Sequence, residues 1–310
     1  MKEFGLIERY FTWKTDDVSI AQGVGDDCAL IDIDSNARIV TTVDTFIEDV
    51  HFAKNTPARA IAHKALAVNL SDLAAMGAKP WYFTLAITLP SINHDWLEEF
   101  SSSLKALAQE FNILLVGGDT NKGTLSISIN ATGLLPKDQA LLRSGAKLGD
   151  VIYVSHTLGD AALAWKKIQK NETPSTQLLK RLNTPTPRVE LAQHILGVAN
   201  SCIDISDGLE QDLGHILQMS HMGAQISIDK IPLSDELIEY IEKTKDWCLP
   251  LAGGDDYELC FTVAQDRVEK VKEIEKKLGI ALTKIGNINA ESKLKIVGLS
   301  DQDCQSYQHF

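Results

Sequence analysis

The chain predicts an α+β class with two tandem α/β domains, and three observations carry that reading. Runs of β-branched and aromatic residues alternate with helix-type segments along most of the length. A polar connector at 137–150, containing Gly145 and Gly149, interrupts the alternation near the middle. The 310 residues suit two sizeable cores, at a soft prior of roughly 150 residues per domain. The expected domains are therefore 1–136 and 147–310.

The elements follow in order. Residues 38–43 and 81–89 read as strands. Between them Thr56-Pro57 opens a long helix, because Thr is a good N-cap and Pro is tolerated at the first helical position. That helix should run to about Met76, with Gly77 as its stop and Pro80 just beyond. A helix at 95–110 leads to a short buried strand at 113–116, closing at Gly117-Gly118-Asp119, and 125–135 is a further strand. The second half restarts with a strand at 151–154 and helices near 159–170 and 187–199. A strand at 202–205 leads into a helix at 208–221, and a strand at 258–263 precedes an amphipathic helix at 266–278. Strands at 282–288 and 294–297 finish the domain.

Composition narrows the function classes. Asp and Glu total 42 against 30 Lys and Arg, a net charge of −12 that repels nucleic acid and anionic membrane surfaces. Phosphate ligands remain workable if metal ions accompany them. The five cysteines are odd in number, widely spaced and lack any C-x-x-C pair. That pattern disfavours a disulfide framework or structural zinc and points to a reducing compartment. The charged N-terminus lacks the apolar core of a signal peptide, and stretches such as 83–89 are too short to span a bilayer. The expected location is the cytoplasm.

Several carboxylates sit in glycine-bearing or small-residue segments beside apolar strands. They read Gly23-Val24-Gly25-Asp26-Asp27, Thr41-Thr42-Val43-Asp44-Thr45, Gly117-Gly118-Asp119-Thr120, Ile203-Asp204-Ile205-Ser206-Asp207-Gly208 and Gly253-Gly254-Asp255-Asp256. A sixth, Asn69-Leu70-Ser71-Asp72, lies on the first long helix, with Asn69 and Asp72 on one face. Hard divalent cations use such oxygen sets: Mg²⁺ typically bridges one or two carboxylates to substrate phosphates. Any single one of these motifs reads equally well as a turn or cap aspartate; six together favour a site. There is no G-x-x-x-x-G-K-[ST] loop, no kinase H-R-D or D-F-G, no G-x-S-x-G elbow and no H-E-x-x-H. Gly23-Val24-Gly25 lacks the third glycine of a dinucleotide-binding fingerprint.

Taken together, the segments closely resemble the thiamine-monophosphate kinase family, within the wider aminoimidazole-ribonucleotide synthetase superfamily. The match is carried by Gly23 to Leu30, by Lys64 to Ala78 with its Asn-Leu-Ser-Asp-Leu core, and by Gly117 to Thr120. It continues through Arg143 to Asp150, Ile205 to Leu209 and Gly253 to Leu259, so nearly the whole chain is covered. The resemblance implies an N-terminal α+β domain whose strands pair across a homodimer and a C-terminal α+β sandwich. It also implies a reaction in which ATP and thiamine monophosphate give ADP and thiamine diphosphate with several Mg²⁺ ions.

Carried over residue by residue, the resemblance implies Asp27, Asp44, Asp72, Asp119 and Asp204 as metal ligands. Thr42 and Val43 are weaker ones, the latter through its carbonyl, and Asp207 serves an outer metal. Gly118, Asp119, Arg143 and Ser206 correspond to ATP contacts, and His51, Asp255 and Tyr307 to the thiamine-monophosphate pocket. Two positions depart from the family pattern: Val43 replaces a Ser or Thr, and Asp255 replaces a Glu. Other readings stay open for individual residues. His51 beside Phe52 also reads as a packing residue, Tyr307 and Phe310 as a docked tail, and Arg143 as a solvated cation. Two rival functions stand beside the kinase: another ATP-using enzyme of the superfamily, and a non-catalytic metal- or nucleotide-binding protein.

Overall fold

Two mixed sheets, each clad by helices, organise the chain in a computed structural model that describes residues 3–24, 29–34, 36–299 and 304. Two compact units emerge, one of 1–73 with 78–138 and the other of 74–77 with 139–310.

The first unit contains α1 (Glu3–Tyr10), β1 (Ile20–Gln22), β2 (Leu30–Ile31), β3 (Ala37–Ile47), α2 (Ala58–Ala75), β4 (Lys79–Leu89), α3 (His94–Glu110), β5 (Leu114–Lys122) and β6 (Ser126–Pro136). Strands β1 and β2 form a small antiparallel pair, and the other four form a sheet in the order β3-β6-β4-β5. β6 is antiparallel to both neighbours, whereas β5 runs parallel to β4. Alternation in β4 buries Trp81, Phe83, Leu85, Ile87 and Leu89 on one face. Against this apolar material α3 contributes Leu97, Phe100, Leu104 and Leu107, spaced at three and four residues. Its start is fixed by Asn93, whose side chain accepts from the amides of Asp95 and Trp96. α2 is different: its Ala-, Leu- and Val-rich surface is buried nearly all round, as expected of a helix with no polar face.

The second unit contains β7 (Val151–Ser155), α4 (Asp160–Gln169), α5 (Thr176–Asn183), α6 (Val189–Ile195), β8 (Ser201–Asp204), α7 (Leu209–Ser220), β9 (Gly223–Ser227), α8 (Asp235–Thr244), α9 (Cys248–Ala252), β10 (Leu259–Val263), α10 (Val268–Leu278), β11 (Leu282–Asn289) and β12 (Leu294–Val297). Its six strands lie in the order β12-β9-β11-β7-β10-β8, antiparallel except for β12 beside β9. Leu209, Leu213, Ile216 and Leu217 of α7 pack with Ile152, Val154, Ile203 and Ile285 of the sheet. A second cluster joins Ala161–Ala164 of α4 to Leu178 and Leu182 of α5 and to Leu237 and Ile241 of α8.

Two expectations are corrected here. Gly117, Gly118 and Asp119 do not close a short strand; they lie inside β5, which continues to Lys122 because parallel pairing with β4 satisfies its backbone. The cysteine reading also changes. Cys248 on α9 is disulfide-bonded to Cys304, with Cα atoms 5.1 Å apart across 56 residues of sequence. Wide spacing in sequence says nothing about distance once the chain has folded back. Cys202 and Cys260 are free and buried, and Cys28 lies outside the described residues. By loop-closure entropy, closing 56 residues stabilises the fold by about 4 kcal/mol. Cys304→Ser should therefore lower the urea midpoint of oxidised protein and leave that of reduced protein unchanged. Identical midpoints for variant and wild type under oxidising conditions would show that the bond contributes nothing.

Candidate active site

Each unit presents its own set of acidic side chains. In the first, the pleat of β3 separates neighbouring positions: Thr42 and Asp44 are half-buried, whereas the Val43 side chain between them is 62% exposed. The Thr42 hydroxyl donates to Oδ2 of Asp72 on α2. This hydrogen bond ties the central strand residue to the helix carboxylate. Burial, and then the negative charge of Asp72, push the Asp44 carboxyl up to about 6. Two carboxylates on adjacent elements thus repel one another in a partly dehydrated place. The Thr42 carbonyl accepts from Asn130 Nδ2 at 3.0 Å, which locks β3 to β6 beside the pair.

Asp119 is exposed on β5, where its carboxylate accepts from the Thr120 amide at 2.9 Å and from Asn121 Nδ2 at 2.5 Å. Gly118 just before it has no room for a side chain, since a Cβ would lie 1.9 Å from the Leu85 carbonyl oxygen of β4. Glycine is therefore what lets β5 pair closely at this point. His51 follows a turn in which Asp49 has positive φ. Its ring stacks on Phe46 at 5.4 Å, and its Nδ1 accepts from the Ile47 amide at 3.1 Å, leaving the ring proton on Nε2. The packing role and the ring's polar edge coexist there.

In the second unit two turns interlock. Ile205 donates its amide to the Glu258 carbonyl at 2.7 Å, Tyr257 donates to Ile205 at 2.8 Å, and Asp255 donates to Ser206 at 2.7 Å. This cross-bonding brings Asp204, Ser206 and Asp207 together with Asp255. Asp204 is the buried last residue of β8, while Ser206, Asp207 and Asp255 are half-buried in the turns. Gly254 has positive φ and a Cβ there would stand 2.4 Å from the Ser206 carbonyl oxygen, so the two turns can approach only with glycine. Asp255 and Tyr257 also carry positive φ, a conformation that the cross-bonds hold in place. Arg143 is exposed, and the turn behind it is pinned by Ser220 Oγ, which accepts from the amides of Gly145 and Ala146 at 3.1 Å each.

The sequence reading singled out Asp255 but not the buried charges beneath it. Glu258, with no exposed surface, accepts from Arg188 Nε and Nη2 at 2.6 Å each, from Ser155 Oγ at 2.5 Å, and pairs with Arg181 Nη1 at 2.9 Å. Asp256, also buried, accepts the Gly159 amide on both oxygens, and burial holds its carboxyl well above the ordinary range despite Arg181 nearby. Asp212 on α7 is a further missed residue. Burial pushes its carboxyl up to about 7 against the opposing pull of backbone amides from 206–208. The available signal was a run of motif acids too apolar in context to be solvated, but their partners lie far off in sequence. Asp27 and Tyr307 lie outside the described residues. Among the described residues, no three His, Cys, Asp or Glu side chains form a ready metal cage.

The two units match the AIR synthase related protein N-terminal domain over residues 25–135 and its C-terminal domain over 147–298. The thiamine-monophosphate kinase of Haemophilus influenzae is 42% identical over 93% of this chain and 90% of its own. The chain belongs to the thiamine-monophosphate kinase family. The crystal structure of thiamine-monophosphate kinase from Stenotrophomonas maltophilia K279a superposes with a TM-score of 0.90 at 42% identity, covering 96% of this chain and 97% of that one. A structure described as AaThiL complexed with AMPPCP and TMP superposes with a TM-score of 0.79 at 31% identity, covering 90% and 89%.

Proposed function

We propose that the chain catalyses ATP-dependent phosphorylation of thiamine monophosphate to thiamine diphosphate in the cytoplasm, acting as a Mg²⁺-dependent homodimer. The observation that carries the reading is the Asp44–Asp72 pair, tied by Thr42 and set in a family whose relatives bear the kinase name. A half-buried carboxyl forced up by burial and by a like charge suits a hard cation, which removes the repulsion and supplies oxygen-preferring coordination.

Bound Mg²⁺ would supply charge neutralisation to the phosphate groups. Asp44, Asp72 and Asp119 would hold it in the first unit, with Asp27, the Thr42 hydroxyl and the Val43 carbonyl. Asp204 and Asp207 would do so in the second. The exposed Val43 side chain leaves only its backbone for such a role. Gly118, Asp119, Arg143 and Ser206 would contact ATP, with Arg143 as a fixed cation on phosphate. His51, Asp255 and Tyr307 would receive thiamine monophosphate. The domain limits 1–136, for ATP and Mg²⁺, and 147–310 belong to this same reading.

The acceptor needs little chemical activation. A phosphate monoester with a second pKa near ~6 is mostly dianionic at neutral pH, so its oxygen attacks without a general base. The chain's task is alignment and charge neutralisation around an in-line transition state. The dimer reading is supported by β3, an edge strand that exposes Ile39, Val43 and Ile47; sedimentation equilibrium reads that state directly. No helix of the described residues is long and apolar enough to cross a membrane, and the net charge of −12 speaks against nucleic acid. In a reducing cytoplasm Cys248 and Cys304 would stand as a thiol pair that oxidation closes.

Acceptor specificity tests the mechanism. With ATP and Mg²⁺, thiamine monophosphate should be converted and thiamine should not, because thiamine lacks the phosphate nucleophile. Equal turnover of both would sink the phosphate-acceptor reading.

A further inference from the structure

The turn that carries Ser206 and Asp207 is held from inside by one carboxylate. Oδ2 of Asp212 accepts three successive amides, from Ser206 at 3.0 Å, Asp207 at 3.0 Å and Gly208 at 3.1 Å. Asp212 itself is only 2% exposed and sits in the first turn of α7, where its own amide bonds the Gly208 carbonyl at 3.0 Å. Gly208, the residue at the helix start, offers no side chain to cap these amides. Nor could it carry one: a Cβ there would lie 2.6 Å from the Ala252 Cα.

Three consecutive amides converging on one point form an anion-binding concavity. In a glycine-bearing turn beside a strand, such a concavity is the expected seat of a phosphate. Here the protein's own carboxylate fills it. The backbone is therefore committed to internal bonding, and contact with a nucleotide from this turn falls to the side chains of Ser206 and Asp207. Gln211 reinforces this by donating Nε2 to Asp207 Oδ2 at 2.9 Å.

We propose that Asp212 is a positioning residue: by occupying the amide concavity it fixes the Ser206–Asp207 turn in the form that receives the nucleotide and its metal. The inference rests on the assignment of Ser206 and Asp207 made above and adds the residue through which they are set. Without the carboxylate, three successive amides lose their shared acceptor, and the turn is free to rearrange or to capture an outside anion.

The test uses full-length protein with Asp212→Asn, which keeps shape and removes charge, and with Asp212→Ala. Should Asp212→Ala fail to fold, the isosteric variant carries the experiment. The expected result for Asp212→Asn is a rise of about tenfold or more in KM for ATP, with KM for thiamine monophosphate within about threefold of wild type. A residue that merely supports the fold would move both constants together, or neither, and either pattern overturns the proposal. Calorimetric binding of AMPPCP with Mg²⁺ separates this inference from the catalytic reading. If wild type binds AMPPCP but transfers nothing from ATP to thiamine monophosphate, the kinase assignment fails, while a tenfold weaker AMPPCP affinity in Asp212→Asn still upholds the positioning role. Unchanged AMPPCP affinity in the variant, or no binding by wild type, overturns it.

Discussion

Asp44→Asn is expected to abolish Mg²⁺-dependent turnover while making the metal-free protein more stable at pH 7.5. The two effects share one cause. Burial and the nearby Asp72 raise the Asp44 carboxyl from its ordinary 3.8 to about 6. A carboxyl raised on folding binds its proton more tightly in the native state, so stability falls as pH climbs through the window from about 4 to 6. Above that window the full penalty stands, on the order of 3 kcal/mol at 1.36 kcal/mol for each pH unit of displacement. Asparagine removes the charge and hence the penalty, so the metal-free variant should gain on the order of 1–3 kcal/mol in denaturant unfolding. Added Mg²⁺ should raise the melting temperature of wild type and leave that of the variant nearly unmoved. A variant that retains turnover would contradict the ligand role, and one less stable than wild type in EDTA would contradict the buried-charge penalty.

The second large effect is structural. Glu258→Ala is expected to cost about 3–5 kcal/mol of stability, because it strands the buried Arg188 guanidinium and takes one carboxylate partner from Arg181, which keeps Asp160 and the Thr157 carbonyl. Arg188→Ala should cost a similar amount, since Glu258 would keep only Arg181 and Ser155. The double variant should lose less than the two single losses added together, because each single change breaks the same bidentate pair. The consequences reach the site: the Glu258 carbonyl receives the Ile205 amide, and Asp255 lies three residues upstream. Urea midpoints of the three variants check this. Additive losses would mean that the pair is not a unit.

How much of this was legible in the sequence depends on whether a feature is local. Strands β4, β6, β7 and β10 were visible because β-branched and aromatic side chains fill their buried positions. Helices α5 and α8 were not, since each is short and buries only two apolar residues. Strand β9 reads Gly-Ala-Gln-Ile-Ser and owes its form to pairing with β11 and β12 rather than to propensity. The polar end of β5 was hidden for the same reason, as its parallel pairing with β4 keeps Gly118 and Asp119 extended.

The candidate site divides along the same line. Acidic residues in glycine-bearing or small-residue segments marked Asp44, Asp72, Asp119, Asp204, Asp207 and Asp255 directly. Their supports were invisible because each joins positions far apart or acts on backbone. Arg188 meets Glu258 across 70 residues, and Asp212 bonds amides rather than side chains. Asp72 lies within α2, where the sequence places it, while Asp204 ends β8 and Asp44 lies mid-strand in β3.

The measurement that bears most directly on the whole account is ³¹P NMR of the purified full chain with ATP, Mg²⁺ and thiamine monophosphate. The thiamine monophosphate resonance is expected to give way to the paired diphosphate resonances of thiamine diphosphate, with ADP formed in equal amount. ADP accompanied by inorganic phosphate alone, or an unchanged spectrum at saturating Mg²⁺, would contradict it.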